Sequence, residues 1–311
     1  MKKSVSLSIM PLQVKFGDKK ALEIASKIGV DAVDFDTQLG RFDYRKNDSI
    51  YSKSDKEIFE YFNDLRMYAE ELGIYICQTH SRCEGFKNIP EEDAALTENI
   101  RRDILACSAL GAKLCVVHAV TTIFLGPDAD PCVMRDLNFK MFNTILPFAK
   151  QYGVKIATET FGDAVKFECC DFFGNIDEFI KSYNRICAVG DNRDWLTVCV
   201  DTGHSNKASR FNNNPSPADV IRMLGGNIEL LHLNDNDKMT DQHKIPLTGT
   251  IDWDDVFDAL DEVGYKGVYN MELGLQRIGG KDMEIETAEY AVKVMRNILK
   301  QRYGEDCLSK K

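Results

Sequence analysis

The stretch LTVCVDTGH at residues 196–204 gives the clearest indication of the fold. Its opening residues are apolar or β-branched, which indicates a buried strand over residues 196–202 with an acidic residue, a glycine and a histidine at its end. The same order, an apolar run with a carboxylate or imidazole near its end, recurs in ICQTH (76–80), CVVH (115–118), IATET (156–160), LLHLND (230–235) and VYNMEL (268–273). Nearly continuous apolar runs of this kind are typical of parallel strands buried on both faces.

Longer amphipathic stretches separate these runs, so that strands and helices alternate eight times. Strands are predicted over residues 5–11, 32–36, 74–80, 113–120, 155–161, 196–202, 228–234 and 267–273. Helices are predicted over residues 19–28, 55–72, 92–110, 134–152, 176–188, 217–224, 253–263 and 285–303. Helix-ending glycines are expected at Gly29, Gly73, Gly111 and Gly264, and helix N-caps at Asn175 and Ser216. Eight βα units in 311 residues predict an α/β protein with a single (β/α)8 TIM-barrel domain over residues 1–311.

The composition excludes several classes of protein. A net charge of −10 disfavours a nucleic acid partner, and no stretch has the roughly 20 apolar residues that a membrane span needs. The N-terminal segment MKKSVSLSIMPLQ lacks the continuous apolar region of a signal peptide. The ten cysteines form no C-x-x-C pair, and most lie inside apolar patterns, which favours reduced thiols. We therefore expect a cytoplasmic protein with no membrane partner, for which nucleic acid is a disfavoured partner.

The residues at the strand ends indicate a metal site. Barrel active sites lie at the C-terminal ends of the strands, and the histidines and several carboxylates of this chain fall there. These residues are His80, His118, His204, His232, His243, Glu159, Asp201 and Glu272. Each would need its own hydrogen-bond partner if it were buried alone, whereas one cation satisfies several of them at once.

Four of these residues, Glu159, Asp201, His232 and Glu272, end four consecutive strands and are therefore expected to converge. Three carboxylates and one imidazole suit one divalent ion, with Mn²⁺ as the first choice and Mg²⁺ or Co²⁺ as alternatives. In the alternative interpretation, Glu159 and Glu272 are merely solvent-facing residues of the rim, which their apolar neighbours disfavour. Further metal ions are not excluded.

Several motifs accompany these residues. In DTGH (201–204), Gly203 is expected to allow a sharp turn that brings His204 back toward the barrel mouth. In HLND (232–235), Asn234 shares a strand face with His232. The segments DQH (241–243) and PLTGTIDW (246–253) follow, and no glycine-rich phosphate-binding motif is present.

With DTGH before it and MEL after it, the run HLNDNDKMTDQHKIPLTGTIDW (232–253) resembles the xylose-isomerase-like barrel superfamily. That group contains sugar and sugar-phosphate isomerases and epimerases as well as the endonuclease IV type of abasic-site nuclease. The resemblance spans essentially the whole chain. It implies a single metal site formed by Glu159, Asp201, His232 and Glu272. In the epimerase members the two glutamates also act as the acid–base pair, and the histidine of DTGH, here His204, contacts the substrate.

The nuclease members bind additional metal through residues that many sugar enzymes also keep. The matching residues in this chain are His80, His118, Asp241 and His243, for which substrate binding is the alternative role. One departure is Leu247, which stands where the family usually has glycine. The resemblance therefore implies that this loop is stiffer or is shaped for a different substrate.

The leading hypothesis is a metal-dependent isomerase or epimerase that acts on a sugar or keto-sugar through an enediolate, with Glu159 and Glu272 as acid and base. The same intermediate permits elimination, so a lyase or dehydratase of a keto-sugar or 3-oxo-glycoside stays open, resembling the α subunit of C-glycoside deglycosidases. An abasic-site endonuclease and a non-catalytic binding barrel are the remaining alternatives. The expected partner is a small carbohydrate, with a homo-oligomer or a small partner subunit as further options.

Overall fold

The computed structural model describes residues 2–211 and 213–308. Its strands are β1 (Val5–Ser8), β2 (Ala32–Asp36), β3 (Tyr75–His80), β4 (Leu114–Val117), β5 (Lys155–Glu159), β6 (Asp163–Ala164), β7 (Cys169–Cys170), β8 (Leu196–Asp201), β9 (Ile228–His232) and β10 (Tyr269–Met271). Its helices are α1 (Met10–Phe16), α2 (Asp18–Ile28), α3 (Asp55–Glu71), α4 (Pro90–Ala109), α5 (Thr122–Leu125), α6 (Pro131–Tyr152), α7 (Ile176–Cys187), α8 (Thr202–Ala208), α9 (Pro217–Leu224), α10 (Trp253–Glu262), α11 (Leu275–Gly279) and α12 (Glu284–Tyr303).

Eight of the strands form one parallel sheet in the order β10, β1, β2, β3, β4, β5, β8, β9. The barrel closes where β9 meets β10, through one bridge between Leu233 and Met271 in the described part of the chain. There Leu233 N donates to Asn270 O at 2.8 Å, and Glu272 N donates to Leu233 O at 3.3 Å. We call this contact the β9–β10 seam. The predicted (β/α)8 barrel is confirmed, whereas a single domain over residues 1–311 stays a prediction.

The strands bury both of their faces. Inside the barrel, Val116, Ala157, Cys199 and Leu230 pack against one another as a small apolar plug. The other strand faces pack against the helices, as Val200 does in the large outer core. Burial on both sides explains why the strand sequences are nearly continuously apolar. The plug also closes the barrel interior, so that polar strand-end residues can gather only at the rim.

The predicted helix ends are confirmed. Gly29, Gly73, Gly111 and Gly264 follow their helices with φ values of +86°, +74°, +76° and +70°. The Asn175 side chain accepts hydrogen bonds from the first turn of α7 and the Ser216 side chain from the first turn of α9. These caps fix where each helix starts and stops, and hence the positions of the loops at the rim.

The first predicted strand is too long. It was expected over residues 5–11, but β1 ends at Ser8 and α1 begins at Met10. Pro11 fits the first turn of α1, where backbone N–H groups have no acceptor within the helix. The apolar run crosses this strand–helix junction without interruption, so periodicity gives no sign of the boundary.

The sequence analysis also missed a helix: it predicted no element over residues 203–216, but α8 covers Thr202–Ala208. Asp201 Oδ1 caps this helix by accepting a hydrogen bond from His204 N at 2.6 Å. The helix therefore starts directly at the end of β8, and its first two turns lie at the barrel mouth. A short antiparallel pair, β6 with β7, follows β5 at the same end.

Candidate metal centre and active site

The four predicted metal ligands meet at the mouth of the barrel. Glu159, Asp201 and His232 are the last residues of their strands, and Glu272 directly follows β10. Because parallel strands end at a common rim, one ligand atom from each of the four lies within 4.8 Å of the others. His232 Nδ1 lies 3.1 Å from Glu159 Oε1 and 3.3 Å from Glu272 Oε2. We call these four residues the Glu159 cluster.

Two residues that the sequence analysis missed hold the His232 ring from behind. His232 Nε2 lies 3.1 Å from Gln78 Nε2 and 3.4 Å from Asp34 Oδ2. Both side chains are fully buried, and Gln78 Nε2 donates to Asp34 Oδ2 at 3.1 Å. Partners of this kind fix which ring nitrogen faces a metal ion, here Nδ1. The available signal was strand alternation, because Gln78 shares its face with His80 two residues later.

Imidazoles from four segments surround the Glu159 carboxylate. Glu159 Oε2 lies 2.8 Å from His118 Nε2 and 3.4 Å from His80 Nε2, and Oε1 lies 3.3 Å from His204 Nδ1. Burial by itself would raise the pKa of Glu159, but the imidazoles, with His232 and His118 first among them, hold that pKa well below its usual range. Glu159 is therefore ionised at neutral pH.

Asp201 is held by two donors that the DTGH and HLND motifs supply. Asp201 Oδ1 accepts from His204 N, and Asp201 Oδ2 accepts from Asn234 Nδ2 at 2.8 Å. The expected reason for Gly203 is wrong: its φ is not positive, so no sharp turn depends on it. A Cβ at Gly203 would instead lie 1.9 Å from Asn234 Oδ1. The glycine is needed for this close approach, which lets Asn234 reach Asp201.

A second group, the Asp241 cluster, consists of His204, Asp241 and His243. Asp241 Oδ2 lies 3.2 Å from His243 Nε2, and Asp241 Oδ1 lies 3.8 Å from His204 Nε2. His243 Nδ1 is 3.7 Å from Glu272 Oε2, which joins this group to the Glu159 cluster. Lys207 Nζ, which the sequence analysis missed, lies 3.5 Å from Asp241 Oδ1. Lys207 was missed because no helix was predicted for its segment.

A third group joins His80 and His118 with Cys83. The two imidazole rings have their centroids 5.2 Å apart, and both face Glu159 Oε2. Cys83 Sγ donates to Gln38 Oε1 at 2.9 Å. The sequence analysis did not identify Cys83, because a lone cysteine in a polar loop has no distinctive pattern. The structure thus brings all nine predicted site residues into three adjoining groups.

A cavity of about 310 Å³ lies over these groups. Glu159, Glu272, His204, His243 and Lys207 contribute to its polar side. The apolar part of the lining includes Ile123, Phe124, Phe161 and Val165. This volume is at the lower end of the range for small-molecule sites, which suits a compact polar ligand with one apolar face.

The Glu159 cluster fits a divalent cation. His118 Nε2 and Glu159 Oε2 are buried and lack the alignment for a hydrogen bond to each other, and neither has another hydrogen-bond partner within residues 2–211 and 213–308. Burial raises the pKa of Asp201, so its carboxylate is costly to keep ionised without a nearby positive charge. Three carboxylates around one imidazole, those of Glu159 and Asp201 buried and that of Glu272 partly exposed, are an oxygen-rich donor set for such a charge.

The loop that departs from the superfamily pattern has an unusual backbone. Leu247 has a φ of +75°, in the left-handed region that favours glycine, and its side chain is 60% exposed. The glycine usual at this position would adopt that conformation without strain. Leu247 thus keeps the shape of the loop but adds an exposed apolar side chain.

Basic residues of the loop after β2 are engaged within the protein: Arg41 pairs with Asp18, and Arg45 with Asp43. All ten cysteines are free thiols. Among the described helices, none combines the length and apolar character needed to cross a membrane.

Comparison by sequence identifies relatives of the chain. A family model described as a xylose isomerase-like TIM barrel matches residues 22–298. The uncharacterized protein y4fM of Sinorhizobium fredii is 26% identical over 182 residues, which cover 58% of this chain and 53% of that protein. The chain thus spans about half the length of this relative. An inosose isomerase of Bacillus velezensis is 24% identical over 262 residues, which cover 82% of each protein.

Solved structures share the architecture. The IOLI protein with a bound zinc atom superposes with a TM-score of 0.72 at 19% identity, over 97% of this chain and 99% of that one. A D-tagatose 3-epimerase-like protein superposes with a TM-score of 0.68 at 21% identity, again over 97% and 99%. At such identities these structures show the fold alone. The family match, however, extends over most of the sequence, and the chain belongs to the xylose isomerase-like TIM barrel family.

Proposed function

We propose that this protein is a metal-dependent isomerase or epimerase of a sugar or keto-sugar. The observation that carries the proposal is the position of Glu159 and Glu272, whose carboxylates lie 3.1 Å and 3.3 Å from His232 Nδ1 and line one cavity of about 310 Å³. The relationship to an inosose isomerase and the fold shared with an epimerase-like protein support the same chemical class. The family itself includes several reactions, so the substrate has to be tested directly.

Glu159, Asp201, His232 and Glu272 would hold the metal ion, with Mn²⁺ as our first choice and Mg²⁺, Co²⁺ or Zn²⁺ as alternatives. When bound, the ion supplies positive charge next to the carbonyl and hydroxyl oxygens of the substrate. Asp34 and Gln78 would keep His232 oriented with Nδ1 toward that position.

The two glutamates would move the proton. The pKa of Glu272, like that of Glu159, is held low against the effect of burial, with His232 as the first cause, so both carboxylates are available as bases. One would remove a proton from the carbon beside the carbonyl and release it to solvent, and the other, after taking up a proton from solvent, would deliver it to the opposite face or to the neighbouring carbon. The first outcome is epimerisation, and the second is aldose–ketose isomerisation. His204 and His243 line the same cavity and would bind substrate oxygens.

The test is solvent deuterium exchange, followed by NMR, with a panel of ketoses and keto-inositols and each metal ion in turn. We expect deuterium at one carbon next to the carbonyl, with formation of the epimer or isomer. The variant Glu159→Gln should keep the fold but lower the exchange rate by at least about 100-fold, the usual contribution of a positioned acid–base group. Glu229→Gln is the matched control, because Glu229 lies at the opposite end of β9 and pairs with Lys155.

Other outcomes would identify a different activity. Loss of water or of an aglycone from the substrate would make the protein a lyase, and cleavage of abasic DNA would make it a nuclease. A metal-loaded protein that catalyses none of these reactions would be a binding barrel. Full exchange by Glu159→Gln would remove this residue from the acid–base role. We also propose a reducing, cytoplasmic location, which the ten free thiols support.

A further inference from the structure

Lys207 places a buried positive charge beside the Asp241 cluster. It lies on α8 three residues after His204, and its side chain is only 3% exposed. Lys207 Nζ is 2.6 Å from Asp163 Oδ1 and 3.5 Å from Asp241 Oδ1. The residue also lines the cavity over the Glu159 cluster. A buried ammonium must be paired, and these two carboxylates are its partners.

This ammonium is held in place from the side of the β6–β7 pair. Asp163 belongs to β6 in the short β6–β7 pair, and its side chain is fully buried. Its second oxygen, Oδ2, pairs with Arg210, so Asp163 is anchored independently of Lys207. Lys207 would have to give up a short buried ion pair in order to swing away from Asp241. Its charge is therefore a fixed part of the site.

The Asp241 cluster is poorly suited to a second positive charge. Its only carboxylate is Asp241, whose Oδ2 faces His243 and whose Oδ1 faces both Lys207 and His204. A divalent ion bound by these three side chains would lie within a few ångströms of the Lys207 ammonium. The repulsion would be strong because the side chains of Lys207, His204 and His243 are largely buried and poorly screened, although Asp241 is 38% exposed. The Glu159 cluster, in contrast, has three carboxylates.

We propose that the Lys207 ammonium is the resident cation of the Asp241 cluster and keeps this cluster free of metal. His204 and His243 then remain available for hydrogen bonds to a ligand instead of coordinating an ion. Metal would bind only where Glu159 is one of the ligands. This separates the chain from nuclease-like members of the superfamily, for which the resemblance implies metal at the DQH segment. The proposal does not depend on which sugar is the substrate.

The test is the metal content of the protein after loading with Zn²⁺ alone and gel filtration, measured by inductively coupled plasma mass spectrometry. We expect Lys207→Met to bind one equivalent more than the wild type, because Asp163 stays paired with Arg210 while the ammonium is gone. Lys207→Arg keeps the charge and should bind no more than the wild type. Lys155→Met, which removes a lysine from the opposite end of the barrel, is the matched control and should also leave the content unchanged.

The variant His243→Ala shows where the additional ion binds. In the Lys207→Met background, His243→Ala should return the metal content to that of the wild type. In the wild type, it should leave the metal content unchanged. The proposal is overturned if His243→Ala alone loses one equivalent, or if folded Lys207→Met gains none. Circular dichroism establishes that each variant is folded. If Lys207→Met does not fold, the content of His243→Ala still decides the matter, because an unchanged value supports the proposal and a loss overturns it.

Discussion

At the mouth of the barrel, protons and a metal ion compete for the same imidazoles. Burial would lower the pKa of His80, but Glu159 raises it to about 10. Burial would likewise lower the pKa of His243, and Asp241 raises it to about 9. In the metal-free protein these rings are therefore protonated at neutral pH and balance the buried carboxylates. A metal ion that binds to them must displace protons.

This competition has a definite pH dependence. A histidine whose pKa is raised on folding stabilises the folded state fully below its unfolded pKa of about 6.5, and this contribution is lost as the pH rises through the folded value. In the presence of a chelator, we expect the free energy of unfolding to fall between pH 6.5 and pH 10 by a few kcal/mol, at about 1.4 kcal/mol per pKa unit. Urea titrations across this range measure it. A free energy of unfolding that rises with pH in this window would contradict the conclusion that His80 and His243 are protonated in the folded protein.

Leu247 offers a test of backbone strain at a single residue. At negative φ, glycine is less stable than alanine by about 0.5–1 kcal/mol, but at a φ of +75° the order should reverse. We expect Leu247→Gly to be more stable than Leu247→Ala by about 1 kcal/mol in urea unfolding, because only glycine relieves the left-handed strain. Alanine is the matched control, since both variants remove the exposed side chain. If Leu247→Gly is less stable than Leu247→Ala, residue 247 does not have a left-handed backbone conformation.

At the scale of elements, α8 shows that the geometry of a site can require a residue that weakens the helix. Gly203 is a poor helix former at the second position of α8, yet a Cβ there would displace Asn234 from Asp201. Gly203 makes the helix less stable, but it allows Asn234 to hold the Asp201 carboxylate in place. Helix propensity and site geometry therefore make opposite demands on one residue.

Gly203→Ala separates these two demands. Alanine favours a helix by about 1 kcal/mol, but the collision with Asn234 should make the variant less stable than the wild type and weaken its metal binding at least about 10-fold. Metal titration calorimetry and urea unfolding measure both effects. Adding Asn234→Ala removes the colliding atoms, so the double variant should be more stable than additivity allows. Additive effects would mean that the two residues do not interact.

The elements differ in how well the sequence predicted them. The barrel strands could be predicted because burial on both faces leaves a continuous apolar run. The starts of α1 and α8 could not be predicted. Apolar residues continue from β1 into α1, and Asp201 is both the last residue of β8 and the cap of α8. The expectation that site residues lie at strand ends identified Glu159, Asp201, His232 and Glu272. It did not identify Lys207, because Lys207 lies on α8, a helix that was not predicted. Whether those four bind metal stays a prediction.

At the scale of the whole molecule, two of the proposed metal ligands lie on the two sides of the β9–β10 seam, the contact of the barrel with the fewest paired residues in the described part of the chain. The β9–β10 seam has one bridge in the described chain, whereas the contact of β4 with β5 has four residue pairs in register. His232 ends β9, and Glu272 follows β10, so the proposed ion would join the two sides of the seam.

We therefore expect metal removal to loosen the barrel unevenly. In hydrogen–deuterium exchange with mass spectrometry, a chelator should speed exchange at the seam, in segments 228–234 and 267–273, at least about threefold, while segments 113–120 and 155–161 change little. His232→Asn should reproduce this pattern without chelator. Uniform acceleration in all four segments would mean that the ion stabilises the barrel as a whole.

The seam gives the proposed ion a mechanical role as well as a chemical one. It would act as a clasp on the contact that closes the ring, and the ring in turn fixes the spacing of the two glutamates. The rigidity of the scaffold and the alignment of the catalytic pair would then increase together with the supply of metal to the cell.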